Sequence, residues 1–324
     1  MAHTVYNSKC FSVCMSSADL AVQVFRQLVS EDFRVLNIIE VAMNKREFVP
    51  REQIQKYANV PMDRIDFILN KLNKLGLTCH NRGAYVGYAL NYVGYDCLAI
   101  NAFVKAGVIS SFGQTIGVGK EADVYTALTP EGEKNSLDGV DEGKTVAVKF
   151  HRLGRISFRQ TRRKRGYIKE HSAWLFQSHL AAEKEFQALQ LVYKNGVSVP
   201  KPLCHNRHGI VMGIIEGGEL SKWRKIRHPE RVLKEVLRNI RKAYLKAHVI
   251  HGDLSEYNVI LKPDMHILII DWPQSVSYSH LNASELLQRD IQNMLTFFNR
   301  RFNVEADFQL AYDYITGKTR NVLF

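Results

Sequence analysis

Cysteine is scarce and its pattern offers no pairing: Cys10, Cys14, Cys79, Cys97 and Cys204 are odd in number and contain no C-x-x-C. A disulfide frame and a zinc site are thereby excluded, and the thiols read as reduced side chains of a cytosolic protein. Long apolar runs are also missing. No stretch reaches 18 apolar residues, and the N-terminus lacks the charged-then-apolar design of a secretion signal. The expectation is a soluble, cytoplasmic chain without a membrane partner. Acidic residues are in deficit, 32 against 44 Lys and Arg, for a formal net charge of +12. No amphipathic basic helix stands out, so the excess suggests a polyanion such as nucleic acid rather than a lipid surface. What is present is globular: 324 residues, 46% hydrophobic, suffice for one large or two unequal domains with a sizeable core.

The N-terminal part reads as a small helical module. A short helix is expected within residues 18–29. From Phe33, the residues Val35, Leu36, Ile39 and Val41 form a helical stripe, which Phe48-Val49-Pro50 ends. Further helices are expected at 52–57 and 62–75, the latter with Ile65, Ile68, Leu69 and Leu72 inward and Gly76 as its stop. Two strands, 77–80 and 84–90, flank the turn Asn81-Arg82-Gly83. Three helices and a hairpin are the layout of a winged helix. Its candidate groove contacts are Asn70, Lys71, Asn73 and Lys74, with Arg82 on the wing; solvation of the same face, or a protein partner, are the alternatives. Residues 94–111 read as a connecting helix and linker, with Asp96, Leu98, Ala99, Phe103 and Val104 in a packed helix.

The remainder carries chemistry. In Ile116-Gly117-Val118-Gly119-Lys120-Glu121-Ala122-Asp123-Val124, two strands flank a glycine turn whose N–H groups can cover phosphates. A strand follows where a dinucleotide fold needs a helix, and Ala122 takes the place of a third glycine, which stiffens the loop. Lys120 reaches a phosphate or stays solvated. Residues 129–143 form a polar surface insert. Thr145-Val146-Ala147-Val148-Lys149-Phe150 is a buried strand with one lysine in it, costly unless paired and suited to gripping phosphates. Its acid is expected on the helix 175–194, at Glu185, with Glu183 as the second choice. Between them, residues 151–172 hold Arg152, Arg155, Arg159, Arg162, Arg163, Lys164, Arg165 and Lys169 against one Glu170, with Phe158 and Tyr167 interleaved. That segment is a solvated linker or a phosphate-backbone contact that orders on binding. An apolar strand running through Met212 and Gly213 to Ile215 and Gly217-Gly218 suits a hinge offering backbone groups to adenine. The helix 229–248, with Leu233, Val236, Leu237, Ile240 and Tyr244 on its core face, leads to His251-Gly252-Asp253-Leu254-Ser255-Glu256-Tyr257-Asn258. After an apolar run comes Asp271-Trp272-Pro273. An Asp five residues before an Asn, with a second Asp at a strand end, can orient a nucleophile and hold Mg²⁺ on ATP.

Gly117-Val118-Gly119-Lys120-Glu121, His151-Arg152-Leu153-Gly154-Arg155, His251-Gly252-Asp253 and Ile270-Asp271-Trp272-Pro273-Gln274 together resemble the RIO family of atypical serine/threonine kinases, and the winged helix its type 2 branch. The resemblance covers roughly residues 32–302. It implies an α+β architecture: an N-terminal extension and winged-helix domain at 1–92, a connector at 93–112, and a minimal two-lobed kinase-like domain at 113–324, with lobes at about 113–212 and 217–324. It further implies Asp253 as the catalytic acid, Asn258 and Asp271 as ligands of Mg²⁺ (Mn²⁺ as an alternative), and Lys149 on the ATP phosphates. Gly117, Val118, Gly119, Lys120, Val124, Glu185, Met212, Gly213 and Ile215 complete the expected nucleotide site. By the same resemblance the partners are the small ribosomal subunit precursor and its rRNA. Trp272 stands where Phe is more usual, with little change expected. Two departures from ordinary protein kinases bear on function. Gly252 replaces the arginine that would meet a phosphorylated activation loop. Only 53 residues (324 − 271) follow Asp271 and none form A-P-E, so a peptide-docking platform is expected to be largely absent. Phosphoryl transfer to the protein itself or to water is therefore expected. An RNA-binding scaffold with structural ATP and a conventional kinase acting in trans are the alternatives.

Overall fold

The computed structural model describes residues 16–83, 85–131, 143–153 and 167–320. The polar insert, most of the basic segment, Cys10 and Cys14 lie outside them. The chain divides between Asn101 and Ala102 into two compact units.

The first unit contains α1 (Ser17–Phe25), α2 (Ser30–Met43), β1 (Val49–Pro50), α3 (Arg51–Ala58), α4 (Met62–Lys74), β2 (Thr78–Arg82) and β3 (Val86–Leu90). The dividing point falls inside α5 (Tyr92–Lys105). Ser16 caps α1 by accepting from the Asp19 N–H, and Asp19 accepts from the Ser16 N–H in return. The three strands lie in the order β1-β3-β2, all antiparallel, which with the preceding helices makes a winged helix. Ile65, Ile68, Leu69 and Leu72 of α4 are buried as their spacing requires. Val41 does not follow its stripe: it is exposed, because two residues beyond the buried Ile39 the helix has turned about 200°. Val104 is likewise exposed, whereas Leu98, Ala99 and Phe103 are buried.

Two of the expected groove contacts are occupied by the domain itself. Lys71 Nζ lies 2.5 Å from Asp32 Oδ2, a carboxylate with almost no exposure that also accepts from the Val29 N–H. Asn73 Oδ1 sits 3.2 Å from His80 Nδ1. Asn70 and Lys74 remain exposed, on a face that also carries exposed Asp63 and Phe67. Lys71→Met is therefore expected to strand the buried Asp32 charge and destabilise this unit by about 1–3 kcal/mol. It should leave the salt dependence of any nucleic-acid binding unchanged; thermal unfolding and a salt titration check the two halves.

The second unit begins with a five-stranded antiparallel sheet, in the order β4-β5-β6-β8-β7: β4 (Ser111–Val118), β5 (Ala122–Leu128), β6 (Thr145–His151), β7 (Pro202–Asn206) and β8 (Gly209–Gly213). One face holds an aromatic cluster of Phe112, Tyr125, Phe150 and His208. On the other, Ala147, Ile210, Met212 and Val124 pack against Ala182 and Phe186 of α6 (Tyr167–Lys194). The helix begins eight residues before the expected 175, at Tyr167, a start that the apolar pattern did not reveal.

The rest of the unit comprises β9 (Gly218–Glu219), α7 (Pro229–Lys242), β10 (Val249–Ile250), β11 (Val259–Leu261), β12 (Ile267–Ile269), β13 (Val276–Ser277), α8 (Ala283–Phe302) and α9 (Phe308–Thr316). Helix α7 stops earlier than its pattern suggests: a π turn, Ala243–Ala247, follows it and His248 closes the turn with a left-handed backbone. Leu233, Val236, Leu237 and Ile240 join Leu287, Ile291, Met294, Phe298 and Trp272 in one core. No helix of the described residues is long and apolar enough to cross a membrane. Cys79, Cys97 and Cys204 are free thiols.

Candidate active site

Lys149 lies on the central strand β6, directly opposite Val124 of β5 and Ile210 of β8, so the three side chains share one face of the sheet. That face looks onto α6, and there the acid is found. Nζ of Lys149 is 2.7 Å from both carboxylate oxygens of Glu185 and 2.8 Å from Asp271 Oδ1 at the end of β12. Glu183 points elsewhere and accepts from Gln187 on the exposed side of the helix. The choice follows from helical spacing, because Glu185 shares the face of the buried Ala182 and Leu189. His151 Nε2 stands 2.8 Å from Glu185 Oε2, a second nitrogen against the same carboxylate. Burial opposes the charge of Glu185, but Lys149 and His151 outweigh it and hold the carboxyl at about 2. Burial likewise opposes the Lys149 ammonium, which Glu185 and Asp271 hold above its ordinary range.

The start of the basic segment is structural. Arg152 is buried, with Nε 3.1 Å from Asp123 Oδ2, its guanidinium over the Phe150 ring and its N–H on the Glu121 carbonyl. It cannot serve as a phosphate contact, contrary to its place in the basic run. The Arg155–Arg165 cluster lies outside the described residues.

The loop 251–258 is fixed by a residue that local sequence patterns did not mark. Asp290 of α8, almost wholly buried, accepts from the N–H of Gly252 at 2.8 Å and of Leu254 at 2.9 Å. Burial pushes its carboxyl above the ordinary range, partly offset by those two N–H groups. Gly252 has φ +78°, and a Cβ there would meet the Gln274 carbonyl at 2.8 Å. Asn293 Nδ2 donates to the Leu254 carbonyl, and Arg289 to that of Gly252. His251 Nε2 lies 3.0 Å from the Ile270 carbonyl, and its ring packs on buried Trp272, whose Nε1 donates to the Ile269 carbonyl. The result holds Asp253 outward: exposed, with its carboxylate bonded to none of the described residues. Asn258 Nδ2 donates to the Asp253 carbonyl at 2.8 Å, which leaves Oδ1 open, while the Ile270 N–H reaches the Asn258 carbonyl. Asp271 has φ +69°, a left-handed backbone that turns it out of the strand toward Lys149. Asp290→Ala is expected to orphan two buried N–H groups at about 1–3 kcal/mol each. Turnover should fall about 10²-fold through loss of alignment while nucleotide affinity holds, with Asp290→Asn intermediate. Turnover rates, nucleotide titration and chemical denaturation separate these effects.

The remaining expected contacts surround this centre in part. Strands β4 and β5 enclose the glycine turn, which the Gly119 N–H closes on the Ala122 carbonyl at 2.8 Å. A Cβ at Gly117 would meet nothing within 4 Å, so that position stays open to a phosphate. Val118 and Lys120 are exposed. Met212 is buried, and the Gly213 N–H is already given to the Lys201 carbonyl at 2.8 Å. The Gly213 N–H is therefore not free for adenine.

Among the described residues no group of three or more His, Cys, Asp or Glu side chains could hold a metal alone. Asn258 Oδ1 and the Asp271 carboxylate are hard oxygen donors, and Mg²⁺ characteristically takes one or two such donors and completes its shell with phosphates and water. The residues fit that ion.

A family model described as "RIO domain" matches residues 123–311, and one described as "Rio2, N-terminal" matches 25–106. The chain belongs to the RIO family. Its relatives on the Rio2 branch are serine/threonine-protein kinases. The Rio2 kinase of Methanocaldococcus jannaschii is 38% identical over 85% of this chain and its own whole length. The rio2 kinase of Dictyostelium discoideum is also 38% identical, over 87% of this chain, which spans about half (52%) of that longer protein. The crystal structure of a Rio2 kinase–ADP/Mg²⁺–phosphoaspartate complex from Chaetomium thermophilum matches with a TM-score of 0.74 at 31% identity, covering 91% of this chain and 89% of that one. In this RIO protein the Lys149–Glu185 pair and the 251–258 loop thus belong to an atypical kinase fold that follows a winged helix in the sequence.

Proposed function

We propose that this RIO kinase is a Mg²⁺·ATP-dependent phosphotransferase whose acceptor is water or its own chain, acting in the cytoplasm on late maturation of the small ribosomal subunit. The observation that carries the chemistry is Lys149 bridging Glu185 and Asp271 while the Asp253 carboxylate bonds to none of the described residues. Lys149 and the glycine turn, open at Gly117, hold the phosphates. Asn258 and Asp271 would hold Mg²⁺, which would supply positive charge to the phosphates during transfer. Asp253 accepts the proton of the attacking oxygen. The ribosomal role is what the resemblance to the RIO family implies, and the net charge of +12 suits a polyanionic partner.

The phosphoaspartate named for the Chaetomium relative favours a second reading of the first step. There the Asp253 carboxylate attacks the γ-phosphorus, the bond to the β-phosphate oxygen breaks, ADP leaves, and water then cleaves the acyl phosphate. Both readings are tested by incubating the protein with γ-labelled ATP and Mg²⁺. Multiple turnovers of free phosphate are expected, and label on the protein released by hydroxylamine would select the carboxylate route. Negligible turnover with tight nucleotide binding would overturn both in favour of a scaffold.

A further inference from the structure

We infer that a groove beside the 251–258 loop binds single-stranded RNA, a reading that rests on RNA being a partner of this chain. The groove, about 600 Å³, lies between that loop and α8. Tyr257, 60% exposed, and Phe297 supply ring faces; Asn293 supplies an amide for base edges or sugar hydroxyls. Arg300 and Arg301 line its end, with Glu256 the single carboxylate. Arg300 has no ion pair among the described residues. Arg301 Nε donates to the Trp223 carbonyl at 3.1 Å, and the exposed Arg224, Lys225 and Arg227 follow Trp223 in the chain.

Two arginines in the lining and three exposed cations after Trp223, against Glu256 in the groove and Glu219 bonded to the lining Ser221, match a chain of phosphates. An exposed aromatic ring beside them matches the alternation of base and phosphate along a single strand, where every base offers a stacking face. An acidic peptide would satisfy the charge and leave the rings unused. The proposal adds a surface in the kinase-like unit to whatever the winged helix binds.

The test uses the full chain and a fluorescein-labelled oligouridylate of about 12 nucleotides. Anisotropy is followed across roughly 0.05–0.2 M KCl. Arg224→Ala/Lys225→Ala/Arg300→Ala is expected to lower the log–log salt slope by about 2, since each lost phosphate contact accounts for about 0.7, and to weaken binding at least tenfold. Tyr257→Ala should weaken it about tenfold with the slope unchanged. Circular dichroism confirms the fold of both. Wild-type binding that the triple variant leaves untouched overturns the groove and keeps the RNA reading. A wild type that does not bind the oligonucleotide overturns both. Loss of an acidic peptide's binding in the triple variant, with RNA binding intact, overturns the assignment in favour of a peptide channel.

Discussion

Lys149→Met is expected to destabilise the protein by about 3–5 kcal/mol and to abolish phosphoryl transfer. Glu185 is 2% exposed and Lys149 11%, so removing the ammonium leaves a buried carboxylate with His151 alone. The contact of Lys149 with Asp271 adds little to that figure, because Asp271 is 42% exposed and screened by water. A double variant, Lys149→Met/Glu185→Leu, should recover most of the stability and none of the activity, since an apolar pair of similar volume replaces the ions. Chemical denaturation of the two variants gives the comparison; equal instability would refute the buried-charge account. The pair also sets acid sensitivity. Glu185 titrates near 4.5 when unfolded and near 2 when folded, so between those values the unfolded chain takes up a proton that the folded one does not. Its stabilising contribution is complete above pH 4.5 and drains as pH falls toward 2. In Lys149→Met that acid limb should be largely flattened.

Asp253→Ala is expected to slow phosphoryl transfer by about 10²–10⁴. Nucleotide affinity and the unfolding temperature should stay at wild-type values. The carboxylate bonds to none of the described residues, and the backbone carbonyl that holds Asn258 survives the substitution. Asp253→Asn keeps the volume and loses the basic and nucleophilic oxygens, so it should match Ala. Single-turnover rates with labelled ATP decide. A variant with the rate of wild type would remove Asp253 from the chemistry and return the choice to Asp271.

The reading of the sequence succeeded where one segment carries its own explanation. The α4 period and the stops around it announce a winged helix, and a lysine among Val146, Ala147, Val148 and Phe150 announces an acid across from it. It was weaker where a role depends on a distant partner. Asp290 looks like a polar residue of an amphipathic helix until its two N–H donors arrive from 36 and 38 residues away. Lys71 looks like a groove contact until α2 brings Asp32 beneath it. Arg152 belongs by composition to a basic run and by geometry to a buried pair with Asp123. In all three, long-range pairing reassigns a charge whose local pattern suggested solvent, and a single sequence holds no periodicity for such a pair.

The attachment of the 251–258 loop to Asp290 has a consequence for cooperativity. Asp290 is flanked on α8 by Leu287, Ile291 and Met294, which are core side chains, so the amides of Gly252 and Leu254 are protected by the same packing that holds the unit folded. Freeing that loop requires lifting α8 from the core, an opening close in cost to global unfolding. Heat should therefore extinguish turnover and fold together, with no loosened, half-working species between. Regulation must act through what enters the cleft or covers it, because the loop itself has no cheap second position.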